Sequence, residues 1–347
     1  MNNPAHTDRH CFKRIPGATY RLQFNRQFTF RHAAEILDYL AELGVTDIYA
    51  SPWFQAGPNS THGYDVCCFG EISSALGSAE DFERFNSRRH ELGLGLLLDM
   101  VPNHMGADLS NDWWLDVLEH GPKSKFAGFF DIDWQPVTPS LRNKVLLPVL
   151  GDHYGKVLER GEIRLGFGDG RFFLGYLGRK FPVTPGSLPA SIDQSSMAVE
   201  QILAEFNGIP GQPETFDRLH GLVQRQHYRL ACWRVGSEEI NYRRFFDVTE
   251  LVALRMECPE VFAASHELLF EWLEPGIVTG LRIDHPDGLR DPAQYLGRLQ
   301  SKAAECLKPS GPLYIVVEKI LSGDESLPDD WPVDGTTGYD FLNRVND

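Results

Sequence analysis

Three acidic side chains in this sequence each end an apolar run, and they are the residues best suited to chemistry. Asp99 ends LGLLLD, Asp284 ends GLRID two residues after Arg282, and Glu318 ends LYIVVE. A single acid at the end of a strand is usually a helix N-cap or one half of a salt bridge. Three acids that end successive parallel strands would meet at one rim of a sheet. Together they therefore indicate a candidate site.

Asp284 and Glu318 form a pair of carboxyl groups suited to breaking an acetal. That reaction needs a proton on the leaving oxygen and negative charge beside the developing oxocarbenium carbon. A separation of about 5–5.5 Å would make one carboxylate a covalent nucleophile. Arg282 shares a strand face with Asp284 and would hold it ionised through a charge-assisted hydrogen bond. Glu318 follows Ile and Val residues, so we expect desolvation to raise its pKa and keep it a proton donor.

The elements that must position these acids alternate between strand and helix patterns. The first part predicts strands at 18–24, 47–50 and 94–100, and helices at 30–43 and from the N-cap Ser78 to the stop signal Gly93. The alternation resumes with a strand at 277–283, a helix at 291–307 and a strand at 313–317. Such β-α-β order is typical of a parallel sheet with helical crossovers.

The predicted fold class is α/β, a (β/α)8-type barrel that is incomplete, with about five strands. A long insertion rich in aromatic residues, Gly and Pro interrupts it after the third strand. We expect residues 1–104 to form the first part of the barrel, 105–276 an insertion or lid subdomain with hairpins and helices, and 277–347 the barrel's continuation. Five parallel strands alone would leave two unpaired edges.

The charge of the chain limits the class of partner. With 347 residues and a formal net charge of −15, its acidic surface would repel phosphate backbones and anionic membranes. We therefore expect no nucleic-acid and no membrane partner, whereas a neutral sugar is compatible. Six scattered cysteines without CxxC spacing, and a polar N-terminus without a signal-like apolar run, predict a cytoplasmic protein.

Several motifs carry a resemblance to known enzymes. DMVPNH, GLRIDHPDG and VEK are similar to the first three signature regions of the α-amylase superfamily of retaining α-glucan enzymes. Longer runs, among them GATYRLQFNRQFTF, NDWWLDVLEHGPKSKFAGFFDIDW and HYRLACWRVGSEEINYRRFFDV, resemble the maltooligosyl trehalose synthases. The resemblance extends from about Ala18 to Asn343 and corresponds to the N-terminal part of those enzymes only.

The resemblance implies catalytic roles for the acids at the strand ends. It makes Asp284 the nucleophile and Glu318 the general acid and base, with Arg282 supporting the nucleophile. The implied reaction is an intramolecular transglycosylation. It converts the reducing-end α-1,4 bond of a maltooligosaccharide into an α,α-1,1 bond, which leaves a terminal trehalose unit.

The resemblance also implies a set of substrate-binding residues. His104 would bond to the sugar at the cleavage subsite, and Tyr64 would stack on the apolar face of that sugar. Asp65 would bind its hydroxyls, His285 would line the site, and Asp99 completes the set.

We expect no metal and no cofactor. Asn103 matches a calcium-binding position of some α-amylases, but the sequence shows no further ligand set. The glycines from Gly166 to Gly170 lie between two β-like runs and lack the spacing of a nucleotide-binding loop, so they predict a hairpin turn. The insertion's aromatic residues would form either a lid that excludes water or the insertion's own core: Trp113, Trp114, Phe126, Phe129, Phe130 and Trp134.

Two other functions stay open at this stage. One is an α-glucan hydrolase or 4-α-glucanotransferase on the same barrel, and the other is an inactive glucan-binding fragment. The superfamily's third acid lies in an HD dipeptide, and no HD follows Glu318 in this sequence. Either a second polypeptide would supply the missing strands, or the sequence is a partial record.

Overall fold

A computed structural model describes residues 13–188, 196–307 and 311–346 of the chain. Nearly all of the polar N-terminal segment on which the cytoplasmic prediction partly rests, and Cys11 with it, lies outside these residues. The chain divides into two compact units. The first contains Met1–His104 and Leu254–Asp347, and the second contains Met105–Ala253.

The described residues form sixteen strands and nine α-helices. The strands are β1 (Thr19–Leu22), β2 (Asp47–Ala50), β3 (Phe54–Ala56), β4 (Val66–Ile72), β5 (Gly95–Met100), β6 (His104–Gly106), β7 (Val145–Leu150), β8 (Ile163–Gly168), β9 (Arg171–Tyr176), β10 (Arg179–Pro182), β11 (Tyr228–Cys232), β12 (Arg244–Phe245), β13 (Val248–Ala253), β14 (Gly280–Ile283), β15 (Tyr314–Val317) and β16 (Gly335–Thr336). The helices are α1 (Phe30–Glu42), α2 (Ala79–Glu91), α3 (Asp112–His120), α4 (Tyr154–Glu159), α5 (Ser196–Phe206), α6 (Asp217–Gln224), α7 (Pro259–Leu273), α8 (Pro292–Cys306) and α9 (Tyr339–Asn346).

The first unit is built on a parallel sheet with the strand order β1-β2-β5-β14-β15-β16. Each neighbouring pair is parallel. Helices connect most of these strands, so the alternation of strand and helix patterns predicted the architecture correctly. A curled parallel sheet of this kind is part of a (β/α)8 barrel, which confirms the predicted fold class.

The sheet contains one more strand than the sequence predicted. β16 has only two residues, Gly335 and Thr336, and pairs with the end of β15. So short a segment carries no periodic hydrophobic signal, which is why the sequence did not reveal it. The antiparallel hairpin of β3 and β4, inserted between β2 and α2, was not predicted either.

The sheet's central strands are buried because they are almost wholly apolar. Every residue of β5 and of β14 is buried, as expected for strands covered on both faces. Helix boundaries follow their caps. The Ser78 hydroxyl accepts from the Asp81 backbone at 3.2 Å at the start of α2, and the Asp291 carboxylate accepts from the Gln294 backbone at 2.9 Å at the start of α8.

Residues 254–276 lie in the first unit, although the sequence placed them in the insertion. The reason is the aromatic core that α7 joins. The Trp272 ring lies 5.4 Å from that of Phe54 and 6.0 Å from that of Trp53, both buried in the first unit. A helical pattern predicts α7 but does not identify the core against which it packs. The insertion of the structure is therefore shorter, 105–253.

The second unit contains three small sets of paired strands, together with helices. β8, β9 and β10 form a three-stranded antiparallel sheet, β7 and β11 pair in parallel, and β12 and β13 pair antiparallel. The turn between β8 and β9 is formed by Asp169 and Gly170, both with positive φ, which confirms the predicted hairpin. No α-helix in the described residues is long and apolar enough to cross a membrane.

Candidate active site

The parallel register brings the three predicted acids to one rim of the sheet. Arg282 on β14 lies directly opposite Asp99 on β5. The backbone ladder continues past the strand ends, because the Asp284 amide donates to Met100 at 2.9 Å and the Glu318 amide donates to Ile283 at 2.8 Å. The carboxyl ends of β5, β14 and β15 therefore lie side by side, as the sequence predicted.

One guanidinium binds all three carboxylates. Nη1 of Arg282 lies 2.6 Å from an oxygen of Asp99 and 2.6 Å from an oxygen of Asp284. Nη2 lies 3.0 Å from an oxygen of Glu318. Asp284 and Glu318 thus contact different nitrogens of the same planar group, which fixes them as neighbours with a defined orientation. Three carboxylates around one cation leave the cluster with excess negative charge.

Asp284 is more deeply buried than Glu318. The side chain of Asp284 is 8% exposed, whereas that of Glu318 is 26% exposed. Burial raises the pKa of Asp284 to about 7, with Asp99 and Glu318 adding to the rise and Arg282 opposing it. The sequence assigned the desolvated environment to Glu318, because hydrophobic residues precede it. Those residues face the sheet's core, while the strand end at Glu318 opens towards solvent.

Asp99 is fully buried and both of its oxygens are occupied by protein groups. One oxygen accepts from Arg282, and the other accepts from the hydroxyls of Tyr64 at 2.6 Å and Tyr49 at 3.1 Å. Burial raises the pKa of Asp99, and Arg282 and the Tyr64 hydroxyl oppose that rise. Asp99 was predicted to bind substrate. With no exposed surface it instead positions Arg282 and Tyr64.

Tyr49 and Arg21 extend this network and were missed in the sequence. Nη2 of Arg21 donates to the Tyr64 hydroxyl at 3.0 Å, and its guanidinium lies 5.3 Å from the centre of the Tyr49 ring. The two residues are opposite each other in the register of β1 and β2. A polar side chain near the carboxyl end of each of these strands was the available signal, but the sequence alone does not give their register.

His285 adopts a left-handed backbone conformation, with φ 43° and ψ 56°. Its backbone amide donates to the second oxygen of Glu318 at 3.2 Å. This conformation is unfavourable for a residue with a side chain, and such residues concentrate at functional sites. The structure therefore places the backbone of His285 against Glu318, which it helps to orient. That the His285 side chain lines the substrate site stays a prediction.

Gly288 allows the segment after Asp284 to fold back closely. A Cβ at this position would lie 2.4 Å from Cδ2 of His285 and 2.5 Å from Oδ1 of Asn103. Asn103 in turn contacts His104, with its Nδ2 3.3 Å from the ring Nδ1. His104 is buried beside the rim, in the segment that follows β5. The close turn thus brings the predicted residues His104 and His285 into one group around Asn103.

Asp65 occupies a different environment from the other predicted residues. Its carboxylate accepts from the Ser60 hydroxyl and lies 3.7 Å from Nδ1 of His62. A Cβ at Gly57 would lie 2.8 Å from its other oxygen. Tyr64, the adjacent residue, reaches the cluster instead, with its ring 5.9 Å from the Arg282 guanidinium carbon. Asp65 is therefore held by its own loop and not by Arg282.

No group of three or more His, Cys, Asp or Glu residues in the described ranges is arranged to hold a metal ion. The aromatic residues of the insertion pack mostly on one another. Trp114 is buried with its ring 5.2 Å from Phe130, and the Trp113 ring is stacked 5.6 Å from Phe126 and 5.0 Å from Phe129 in an edge contact. Trp114 and Phe130 therefore belong to the second unit's own core, whereas Trp113, Phe126 and Phe129 are half-buried.

Comparison with known proteins agrees with this geometry. The family model for the α-amylase catalytic domain matches residues 30–154. A Mycobacterium tuberculosis protein assigned as a maltooligosyl trehalose synthase is 38% identical over 343 residues, which cover 94% of this chain and 38% of the relative. The chain thus spans well under half of the length of the curated relatives that it matches.

Solved structures show the same likeness. The maltooligosyltrehalose synthase from Arthrobacter ramosus superposes with a TM-score of 0.78 at 38% identity, covering 94% of this chain and 38% of that one. A Sulfolobus tokodaii structure described as a hypothetical maltooligosyl trehalose synthase gives 0.74 at 35% identity, covering 95% of this chain and 39% of that one. The chain is therefore similar to the maltooligosyl trehalose synthases over 94% of its length, and its parallel sheet corresponds to part of the α-amylase-type (β/α)8 barrel.

Proposed function

We propose that this chain acts in the intramolecular transglycosylation of maltooligosaccharides, by a retaining mechanism. The observation that carries the proposal is the pair Asp284 and Glu318 on the two terminal nitrogens of Arg282, at the carboxyl ends of adjacent parallel strands. Retaining glycosidases use two carboxyl groups about 5–5.5 Å apart. Two carboxylates bound to one guanidinium suit that spacing.

In the first step Asp284 attacks C1 of the penultimate glucose. The bond from C1 to the O4 of the reducing-end glucose breaks, and Glu318 donates its proton to that oxygen. Arg282 favours the ionised form of Asp284 and aims it, which matters because burial raises the pKa of this nucleophile to about 7. Glu318 is the more exposed of the two, as a group that exchanges a proton with a departing sugar should be.

In the second step the released glucose is the acceptor. Its anomeric hydroxyl attacks C1 of the glycosyl group and loses its proton to Glu318, and the ester to Asp284 breaks. The product carries an α,α-1,1 bond, with no net gain or loss of water. Water attack at the same carbon would give hydrolysis, and attack by the O4 of another glucan would give 4-α-glucanotransfer.

The relatives that are named as maltooligosyl trehalose synthases support trehalose formation over these two alternatives. Because this chain spans 38% of the length of those relatives, the activity is proposed for it and for any second polypeptide that completes its sheet. Its proposed substrate is a maltooligosaccharide.

Covalent trapping would test the nucleophile without requiring full turnover. The Glu318→Gln variant would be incubated with a 5-fluoro-α-maltosyl fluoride, whose fluoride leaves without acid assistance, and the protein mass measured. We expect an adduct on the peptide that contains Asp284. Asp284→Asn should remove the adduct, and the exposed Asp324→Asn should retain it as the matched control. An adduct on a different residue, or none, would contradict the proposed mechanism.

Product analysis separates the alternatives. With maltopentaose and the unmodified chain, we expect a product of unchanged mass that has lost its reducing end. Glucose and shorter maltooligosaccharides would identify a hydrolase, and longer glucans would identify a 4-α-glucanotransferase. Binding without any product would identify a glucan-binding chain.

A further inference from the structure

The three-stranded sheet of the second unit has two faces of different character. One face is apolar and largely buried, with Leu165, Leu174, Tyr176 and Phe181 among its residues. On the other face the cross-strand register places three glycines around a single aromatic residue. Gly166, opposite Phe173, and Gly168 lie on β8, and Gly175 lies on β9. Glycine inside a strand weakens the sheet, and it often marks a bulge, a tight bend, or a place where a ligand or a second backbone approaches closely.

The Phe173 ring lies flat on these glycines. A Cβ at Gly166 would lie 2.5 Å from Cζ of Phe173, which no real Cβ would tolerate. At Gly175 and Gly168 the corresponding contacts with the ring would be 3.5 and 3.6 Å, ordinary van der Waals distances. Only glycine at position 166 therefore leaves room for the Phe173 ring in this position. The side chain of Phe173 is half-buried, so part of the ring remains accessible.

A groove of about 830 Å³ runs beside this platform, within the second unit. Its size falls within the range of about 300–1,000 Å³ that is typical of ligand pockets. Phe173 and Gly168 form part of its wall, and α3 contributes Leu115. Four charged residues also line it, two of each sign: Glu119, Asp169, Arg171 and Lys180. Equal numbers of opposite charges give the lining no net charge, so it does not favour an anion or a cation overall.

We propose that this groove is a second, non-catalytic site for an α-1,4-glucan chain. A pyranose ring has an apolar C–H face that stacks on an aromatic ring, and equatorial hydroxyls that bond to charged groups of either sign. The glycines hold one face of the half-buried Phe173 ring, so a sugar would stack on its opposite, outer face. The choice of an α-1,4-glucan as the occupant rests on the proposed function, whereas the neutral, polyhydroxylated character of the ligand rests on the groove itself.

Lys180 changes its partner when the site is occupied. Its ammonium lies 4.8 Å from the centre of the Phe173 ring, and the residue is exposed. Such an exposed cation–π contact is weak, so a ligand can readily displace it. A sugar that stacks on Phe173 displaces the ammonium, which then donates to a hydroxyl of the same sugar.

Binding of maltoheptaose to the full chain tests the proposal. The chain would carry Glu318→Gln to prevent turnover, and binding would be followed by calorimetry and by amide shifts of Gly166, Gly168 and Gly175. We expect these three amides to shift on titration. Phe173→Ala should weaken that binding event by roughly tenfold or more, equivalent to about 1.4 kcal/mol.

Two glycine substitutions provide a matched pair. Gly166→Ala should displace the Phe173 ring and weaken binding as Phe173→Ala does, while Gly175→Ala should bind like the parent because its Cβ makes only ordinary contacts. Thermal unfolding of each variant controls for folding. Unchanged glycine amides, or equal binding by Gly166→Ala and Gly175→Ala in folded proteins, would overturn the proposal. Binding of maltoheptaose at the groove does not depend on Asp284, so failure of the covalent trapping experiment would not contradict this second site.

Discussion

Arg282 and Asp99 lie opposite each other on adjacent parallel strands, and their side chains meet at 2.6 Å. Because Asp99 is fully buried and also accepts from Tyr64 and Tyr49, it holds the guanidinium in one place. The guanidinium then holds Asp284 and Glu318. The orientation of the two proposed catalytic acids thus depends on a carboxylate that has no exposed surface.

Removal of Arg282 should therefore destabilise the chain more than removal of an ordinary surface charge. We expect Arg282→Met to destabilise the chain by about 3–5 kcal/mol, because it leaves Asp99 and Asp284 buried without a cation. Urea unfolding would measure the change. The double variant Asp99→Asn with Arg282→Met should recover part of that loss, since one of the buried charges is then absent. Simple additivity of the two single changes would show that the pair is not coupled.

Asp284 should make the stability of the chain fall as the pH rises. Burial raises its pKa from the ordinary value of 3.8 to about 7, so between these values the folded chain holds a proton that the unfolded chain has lost. Its contribution is fully present below about pH 4 and is lost by about pH 7. The loss is roughly 4 kcal/mol, at 1.36 kcal/mol for each unit of pKa.

The variant Asp284→Asn cannot ionise and should not show this fall. We expect its melting temperature to exceed that of the parent at pH 8 and to approach it at pH 4. Asp324→Asn, which changes an exposed acid, is the control and should follow the parent at both values. An equal difference between Asp284→Asn and the parent at both pH values would contradict the raised pKa.

The sequence predicted those parts of the fold that local patterns encode. Apolar runs that end in an acid identified β5, β14 and β15, and the N-cap Ser78 predicted the start of α2. Because parallel strands align their carboxyl ends, those patterns were also sufficient to bring Asp99, Asp284 and Glu318 together.

Features that depend on tertiary packing were not predictable in this way. Arg21 and Tyr49 reach the site only through the register of β1 and β2, and no local pattern gives that register. Helix α7 is amphipathic whichever core it joins, so Trp272 could not be assigned to the first unit. The burial of Asp284 and the exposure of Glu318 likewise depend on side chains brought from distant segments.

Gly288 should be essential to the geometry of the site because its Cβ would collide with two residues. We expect Gly288→Ala to displace His285 and Asn103 and to destabilise the chain by about 1–3 kcal/mol, the usual range for overpacking. It should also slow trapping at Asp284, because the His285 amide that orients Glu318 would move. Unfolding and trapping rates would be measured together.

Gly297→Ala is the matched control for this change. Gly297 lies inside α8, and a Cβ there would meet no atom within 4 Å. Alanine is favoured over glycine in a helix interior, so this variant should gain about 0.5–1 kcal/mol of stability. Equal effects of Gly288→Ala and Gly297→Ala on unfolding and trapping would show that the close turn after Asp284 is not needed for the geometry of the site.

His266 should make the chain sensitive to acid. It is fully buried between α7 and α8, where its Nε2 lies 2.9 Å from the Tyr295 hydroxyl and its Nδ1 lies 2.9 Å from the Phe262 carbonyl. The carbonyl fixes the proton on Nδ1, so Nε2 accepts from Tyr295. Burial lowers the pKa of His266 to about 3, although the Phe262 carbonyl opposes the shift. The nearby charge of Arg298 favours the neutral ring as well.

Because the pKa of His266 is lowered, the stability of the chain should fall at acidic pH. Below about pH 6.5 the unfolded chain takes up a proton that the folded chain excludes, so the stability that His266 contributes is present at neutral pH and is lost as the pH falls towards 3. At pH 5 the loss is about 2 kcal/mol. His266→Gln should remove this part of the slope, while the exposed His153→Gln should leave it unchanged. Urea unfolding at pH 7 and pH 5 would measure it, and parallel slopes for the parent and His266→Gln would show that the buried ring does not set the acid limit.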